Sequence, residues 1–149
     1  MNKELCDVQN HVIQKFGFGA RASVIHAEMT TRSDVFESAD VVILNNVFEW
    51  FVDASNQIKM WQFLCHNIKL GAIIVSIPSL EKAIGSCLQV SIEKWVIPLN
   101  YTRSDNDSFE DDCPSEEKPF LYQVIGKPAC LAANESNGVC ILPNEAKME

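Results

Sequence analysis

The sequence has no Cys-x-x-Cys pair and no histidine at zinc spacing from its cysteines. It also has no apolar run near the roughly 18 residues that a membrane-spanning helix needs. The six cysteines (Cys6, Cys65, Cys87, Cys113, Cys130 and Cys140) are scattered, which argues against a zinc module and for reduced thiols in a cytoplasmic or nuclear setting. Cys6 and Cys65 lie among apolar neighbours, where a free thiol behaves as a small hydrophobe. The amino terminus, MNKELCDVQN, lacks the basic-then-apolar order of a secretory signal. The Asn-x-Ser/Thr triplets at Asn100, Asn106 and Asn134 therefore carry no glycosylation reading. Glycine is scarce: of the six, only Gly17 and Gly19 are closely spaced, and they follow a helical pattern rather than a strand. No phosphate-cradling loop is visible.

Base is scarce where acid is dense. The net charge of −8 is concentrated between Ser104 and Glu117, which holds Asp105, Asp107, Glu110, Asp111, Asp112, Glu116 and Glu117 and no lysine or arginine. Such a balance disfavours direct binding to duplex nucleic acid. The stretch reads as a solvated loop spanning 104–118. A sharper reading is that it attracts a basic protein substrate. Ser104 and Ser108 each have an acid three residues on, the spacing of an acid-directed phosphorylation site. A calcium loop is not indicated, because the run lacks a central glycine and alternating oxygen ligands.

What the chain does have is centred on Ser38 to Pro78. Ala39 to Leu44 is an apolar run broken only by Asp40 and closed by Asn45 and Asn46. The spacing predicts a strand buried on both faces, since a half-exposed strand would alternate. From Asp53 to Lys69 the pattern is helical, with Ile58, Trp61, Leu64, Cys65 and Ile68 on one stripe and Asp53 as the cap. Gly71 ends the helix, Ala72 to Ile77 is a second buried strand, and Pro78-Ser79 closes it. Strand, helix and strand make one crossover unit of a parallel sheet. Asn45 and Asn46 then lie at the carboxyl edge, where open α/β sheets bind ligands.

These residues resemble the class I S-adenosylmethionine-dependent methyltransferases. The resemblance rests on Asp40 two residues into the strand, the Asn-Asn-x-Phe ending (Asn45, Asn46, Phe48), and the following helix and Leu-Gly-Ala-Ile-Ile-Val strand (Leu70 to Val75). Within that superfamily the Asn-Asn-x-Phe ending is most similar to the non-SET protein-lysine methyltransferase branch. The resemblance implies a Rossmann-like methyltransferase sheet that ends in an antiparallel hairpin. It also implies methyl transfer from S-adenosylmethionine, with Asn45 and Asn46 as catalytic residues. Glu28, Asn45 and Phe48 would then bind cofactor, Glu28 accepting from the adenine amino group, while Phe48 and Trp50 wall the cationic centre. Asn45 and Asn46 also fit a simpler role as turn formers, and Phe48, Trp50 and Phe51 fit a core cluster.

The remaining segments follow the same α/β reading. Lys3 to Phe16 is helical, with Leu5, Val8, Val12, Ile13 and Phe16 on one face. Ala22 to Met29 reads as a strand around Val24 and Ile25, with His26 as an ordinary strand histidine. Thr30 to Ser38 is a polar link containing a helical turn. Ser79 to Cys87 is a helix, Ile92 to Tyr101 an edge or bent strand because of Pro98, and Phe120 to Ile125 a strand that alternates around Tyr122. The segment 128–149 has no period and reads as a flexible tail.

With 149 residues there is room for one domain, and the resemblance covers 1–127. The glycine-rich turn and the first two strands of the family's site have no counterpart in it. The expectation is a truncated form, incomplete at its N-terminus and inactive alone, with a partner chain completing the sheet. The alternatives are a non-catalytic regulatory or interaction protein on the same fold, and another α/β protein with a similar crossover.

Overall fold

The computed structural model describes residues 2–46, 48, 52–85, 88–100, 118–128 and 131–132. The acidic stretch 104–117, the tail beyond 132, Cys87, Trp50 and Phe51 lie outside the described residues. The chain divides into two compact units, Met1–Ser33 and Asp34–Glu149.

The first unit is built on helix α1, Lys3–Lys15. The Asn2 side chain accepts from the N–H groups of Glu4 and Leu5, and Glu4 and Lys15 place opposite charges at the matching ends of the helix dipole. Gly17, at φ 74, turns the chain out of the helix. The helical reading is correct here, but only Cys6 is buried: Leu5, Val8, Val12 and Phe16 stand exposed.

The expected strand at Ala22 to Met29 does not form. Residues 22–28 run as irregular chain into a short 3-10 turn at Met29–Thr31. The reason is visible at Val24, whose N–H donates to Asn10 Oδ1 (3.0 Å) and whose carbonyl accepts from Asn10 Nδ2 (3.4 Å). A helix side chain thus occupies the groups a neighbouring strand would have used.

The second unit opens with helix α2, Ser33–Ser38, and strand β1, Val41–Asn45. Helix α3 (Ala54–Asn67) leads to strand β2 (Ile73–Ile77), helix α4 (Leu80–Ile84) and the two-residue β3 (Leu88–Gln89). A single helical turn α5 (Ile92–Trp95) runs into β4 (Val96–Pro98), and β5 (Phe120–Val124) and β6 (Leu131–Ala132) complete the described elements. The main sheet has the order β1-β2-β5-β4, and β3 pairs with β6 in a second, two-stranded sheet. β1 and β2 are parallel, with Val41 opposite Ile73 and Asn45 opposite Ile77. β5 runs antiparallel to β2, and β4 antiparallel to β5. The fold is therefore α/β with a four-stranded mixed open sheet, and β4 with β5 forms the antiparallel pair anticipated around Pro98 and Tyr122.

Four expectations are corrected. β1 is not buried on both faces: Val42 and Leu44 are buried while Val41 and Ile43 are exposed. A strand buried on both sides needs a layer on each face, and among the described residues the outer face of β1 has none. Helix α3 ends at Asn67, and Gly71, at φ 82, instead serves the turn into β2. Ile92 to Trp95 is helical before the chain becomes strand, and the tail contributes the short β6 rather than being wholly unstructured.

The core lies on one side of the sheet. Val42 and Leu44, Ile74 and Ser76, Tyr122 and Val124, and Val96 are buried at alternate strand positions. Trp61, Leu64, Cys65 and Ile68 of the α3 stripe, together with Leu80, Ala83 and Ile84 of α4, are buried as well. Ile58, also assigned to that stripe, is only half-buried. Gly126 is packed so closely on the Lys94 carbonyl that no side chain fits between them, and its N–H donates to Trp95 O (3.2 Å), closing the end of the hairpin on α5.

Candidate functional site

The carboxyl end of β1 is tied to that of β2. The Asn46 N–H donates to the Ile77 carbonyl at 2.7 Å, one step beyond the Asn45–Ile77 register pair. Asn46 adopts φ 46, the left-handed region that asparagine tolerates better than most residues, so the chain turns sharply here. Both asparagine side chains are exposed, with Asn46 Nδ2 3.4 Å from Asn45 Oδ1. On the β2 side the Ile77–Pro78 peptide is cis, and the Ser76 hydroxyl donates to the Pro78 carbonyl at 2.6 Å. Two strand ends thus place two exposed carboxamides, bonded to each other, beside the turn at Asn46.

Phe48 anchors this edge from below. Its ring is 3% exposed and meets Trp61 edge-on, centroids 5.2 Å apart. The buried Gln57 carboxamide donates to the carbonyls of Val52 (2.7 Å) and Phe48 (3.3 Å), pinning the loop that leaves the site to the first turn of α3. That turn is capped by Asp53, whose carboxylate accepts from the Asn56 N–H, the Asn56 side chain and the Ser55 hydroxyl. The Ser55 bond leads these in holding its pKa down at about 2. These bonds join the described part of the loop, Phe48 and Val52, to the capped first turn of α3.

At the opposite end of β1, Asp40 pairs with Lys69 at 2.5 Å, and the hydrogen bond and charge of that lysine hold its carboxyl below the usual range. Asp40 therefore fastens the strand start to the segment that follows α3, away from the asparagine edge.

Asn45, Asn46 and Phe48 are brought together on one strand end and its loop. Glu28 belongs to the first unit, where it caps the 3-10 turn, is exposed, and accepts a hydrogen bond from the Thr30 hydroxyl at 2.9 Å. The strand that was to place it at a sheet edge is absent. Trp50 lies outside the described residues. Among the described residues no group of three metal-ligating side chains occurs, and no helix is long and apolar enough to cross a membrane.

A concavity of about 390 Å³ elsewhere in the second unit was not anticipated from the sequence. It is lined by Glu81, Val90, Glu93, Ile97, Pro98 and Tyr122, among others. Tyr122 donates from its hydroxyl to Glu81 (3.2 Å) and accepts from the Leu80 N–H (3.4 Å), and burial raises its pKa. The alternation around Tyr122 marked a strand, but the partner of Tyr122 on α4 is too distant in sequence to be read.

No family model, curated protein or solved structure matches this chain.

Proposed function

We propose that this chain carries the later half of a class I S-adenosylmethionine-dependent methyltransferase site, with Asn45 and Asn46 as the residues that position the reacting groups. The observation behind the reading is the carboxyl edge of β1, where two exposed carboxamides are held by the Asn46–Ile77 bond above a buried aromatic floor. The antiparallel β4–β5 pair that ends the sheet agrees with what the resemblance implies.

The donors present suit one part of such a site. Carboxamides can accept from an amine nucleophile and donate to a carboxylate, and neither asparagine is buried or committed to the core. S-Adenosylmethionine, when bound, supplies an electrophilic methyl group on a sulfonium. The chain's own part is to align and desolvate a nitrogen nucleophile: the Asn45 and Asn46 carbonyls accept its N–H protons and fix its lone pair along the line of transfer. The glycine-rich cradle for the methionine moiety has no counterpart in the sequence, so the reading includes completion by further chain.

Calorimetric titration of the chain with S-adenosylmethionine, with circular dichroism on the same sample, tests this. Saturable binding that is lost in Asn45→Ala/Asn46→Ala, with the fold retained, supports the reading. A folded chain that takes no cofactor overturns binding by this chain.

A second reading is an interaction protein on the same fold. The exposure of Val41 (53%) and Ile43 (69%) on a sheet strand favours it, because apolar, β-branched positions of that kind are ordinarily covered.

A further inference from the structure

The open edge of β1 differs from the other edge of the same sheet. β4 is three residues long and carries Pro98. Leu99 donates inward to Leu121, so by alternation the N of Pro98 faces outward, where its missing hydrogen removes a donor from the free edge. β1 has five residues, Val-Val-Ile-Leu-Asn, with no proline and no charge. Among the described residues it has no proline, charge or bulge to keep the edge from pairing.

The backbone polarity of β1 can be assigned. Asp40 O accepts from Ile73 N, and Asn46 N donates to Ile77 O, so the even-numbered residues face β2. Val41, Ile43 and Asn45 then direct their N–H and C=O groups to the free edge. These three are also the residues whose side chains are exposed.

We infer that this edge pairs with the β1 edge of a second copy of the chain, antiparallel about a two-fold axis through Ile43. The register is self-complementary. Ile43 exchanges both of its backbone bonds with Ile43 of the second copy, and Val41 and Asn45 exchange theirs with Asn45 and Val41 of the other strand. All six outward groups on each strand are satisfied, and no other register of the three satisfies them all. The Ile43 side chains meet across the axis, with Cα atoms about 5.5 Å apart as in any hydrogen-bonded antiparallel pair.

The charge pattern allows this despite a net charge of −8. The acid beside the edge, Asp40, already pairs with Lys69. In the paired register it lies next to Asn46 of the second copy, so no bare like charges meet. The pairing joins two four-stranded sheets into one of eight. It also closes, because each copy uses the same edge and the remaining edges carry Pro98. A strand pair of this length buries less than the roughly 1,200 Å² of a stable interface, so the dimer is weak and concentration-dependent.

The test is multi-angle light scattering on the full chain over a concentration series, with Val41→Lys and Ile43→Lys compared by circular dichroism. The wild-type mass should rise from 16.7 kDa toward twice that value with concentration, and both folded variants should stay monomeric. Hydrogen exchange on the wild type gives a readout that needs no variant: the amides of Val41, Ile43 and Asn45 gain protection as the dimer forms. A wild type that is monomeric throughout overturns the inference. So does a dimer that survives both substitutions, or one that leaves these amides unprotected.

Discussion

Asn46 and Ile77 are joined by a 2.7 Å backbone hydrogen bond that carries the parallel β1–β2 ladder one step past its last register pair, while Asn46 itself sits at φ 46. The ladder thus extends into a turn that favours asparagine or glycine. The same residue serves the geometry of the edge and offers a carboxamide to it.

Asn46→Gly should therefore leave stability within a few tenths of a kcal/mol, whereas Asn46→Val should lose about 1–2 kcal/mol from the left-handed conformation alone. Urea unfolding of the two variants separates them. Equal losses in both would show that the carboxamide, rather than the backbone, holds the turn.

Gln57 is a buried side chain with both of its bonds directed at backbone carbonyls, those of Phe48 and Val52. Gln57→Leu keeps the volume and removes the donor to the Val52 carbonyl, while the Phe48 carbonyl keeps its bond from the Val52 N–H, so it should cost about 0.5–1.5 kcal/mol. The Phe48–Trp61 contact should loosen with it, which quenching of Trp61 fluorescence would report, read in a variant carrying phenylalanine at Trp50 and Trp95.

Asp53 provides the pH dependence. Its carboxyl is held at about 2 by the Ser55 and Asn56 bonds, below the ordinary value of 3.8. The unfolded chain therefore binds the proton more readily, and stability rises with pH across this range. The contribution is complete above the ordinary carboxylate pKa and is lost as pH falls from about 4 toward 2. Asp53→Asn keeps an oxygen for the Asn56 N–H and should flatten this part of the profile while retaining the helix cap. Thermal unfolding at stepped pH checks it: an unchanged acid slope in the variant would assign the dependence to other carboxylates.

Much of the second unit is legible from sequence because local chemistry and burial agree there. The Asp53 cap, the α3 stripe of Trp61, Leu64, Cys65 and Ile68, and the alternation around Tyr122 each state a period and a boundary. Pro98 marks β4 as an edge because a proline has no N–H to give a neighbour. The carboxamides of Asn45 and Asn46 are likewise placed by the strand that precedes them.

What only the tertiary structure decided depends on partners remote in sequence. Val24 and Ile25 have the composition of a strand, yet a strand exists only if another offers it a ladder, and Asn10 had already taken the Val24 groups. Val41 and Ile43 read as core because β-branched residues usually are, but whether a face is covered is a property of what packs on it. Tyr122 and Glu81, 41 residues apart, meet only because β5 inserts beside β2 rather than at the sheet's end. Periodicity is written in neighbouring residues, whereas coverage and strand order are settled by competition among distant segments for the same hydrogen bonds and apolar surface.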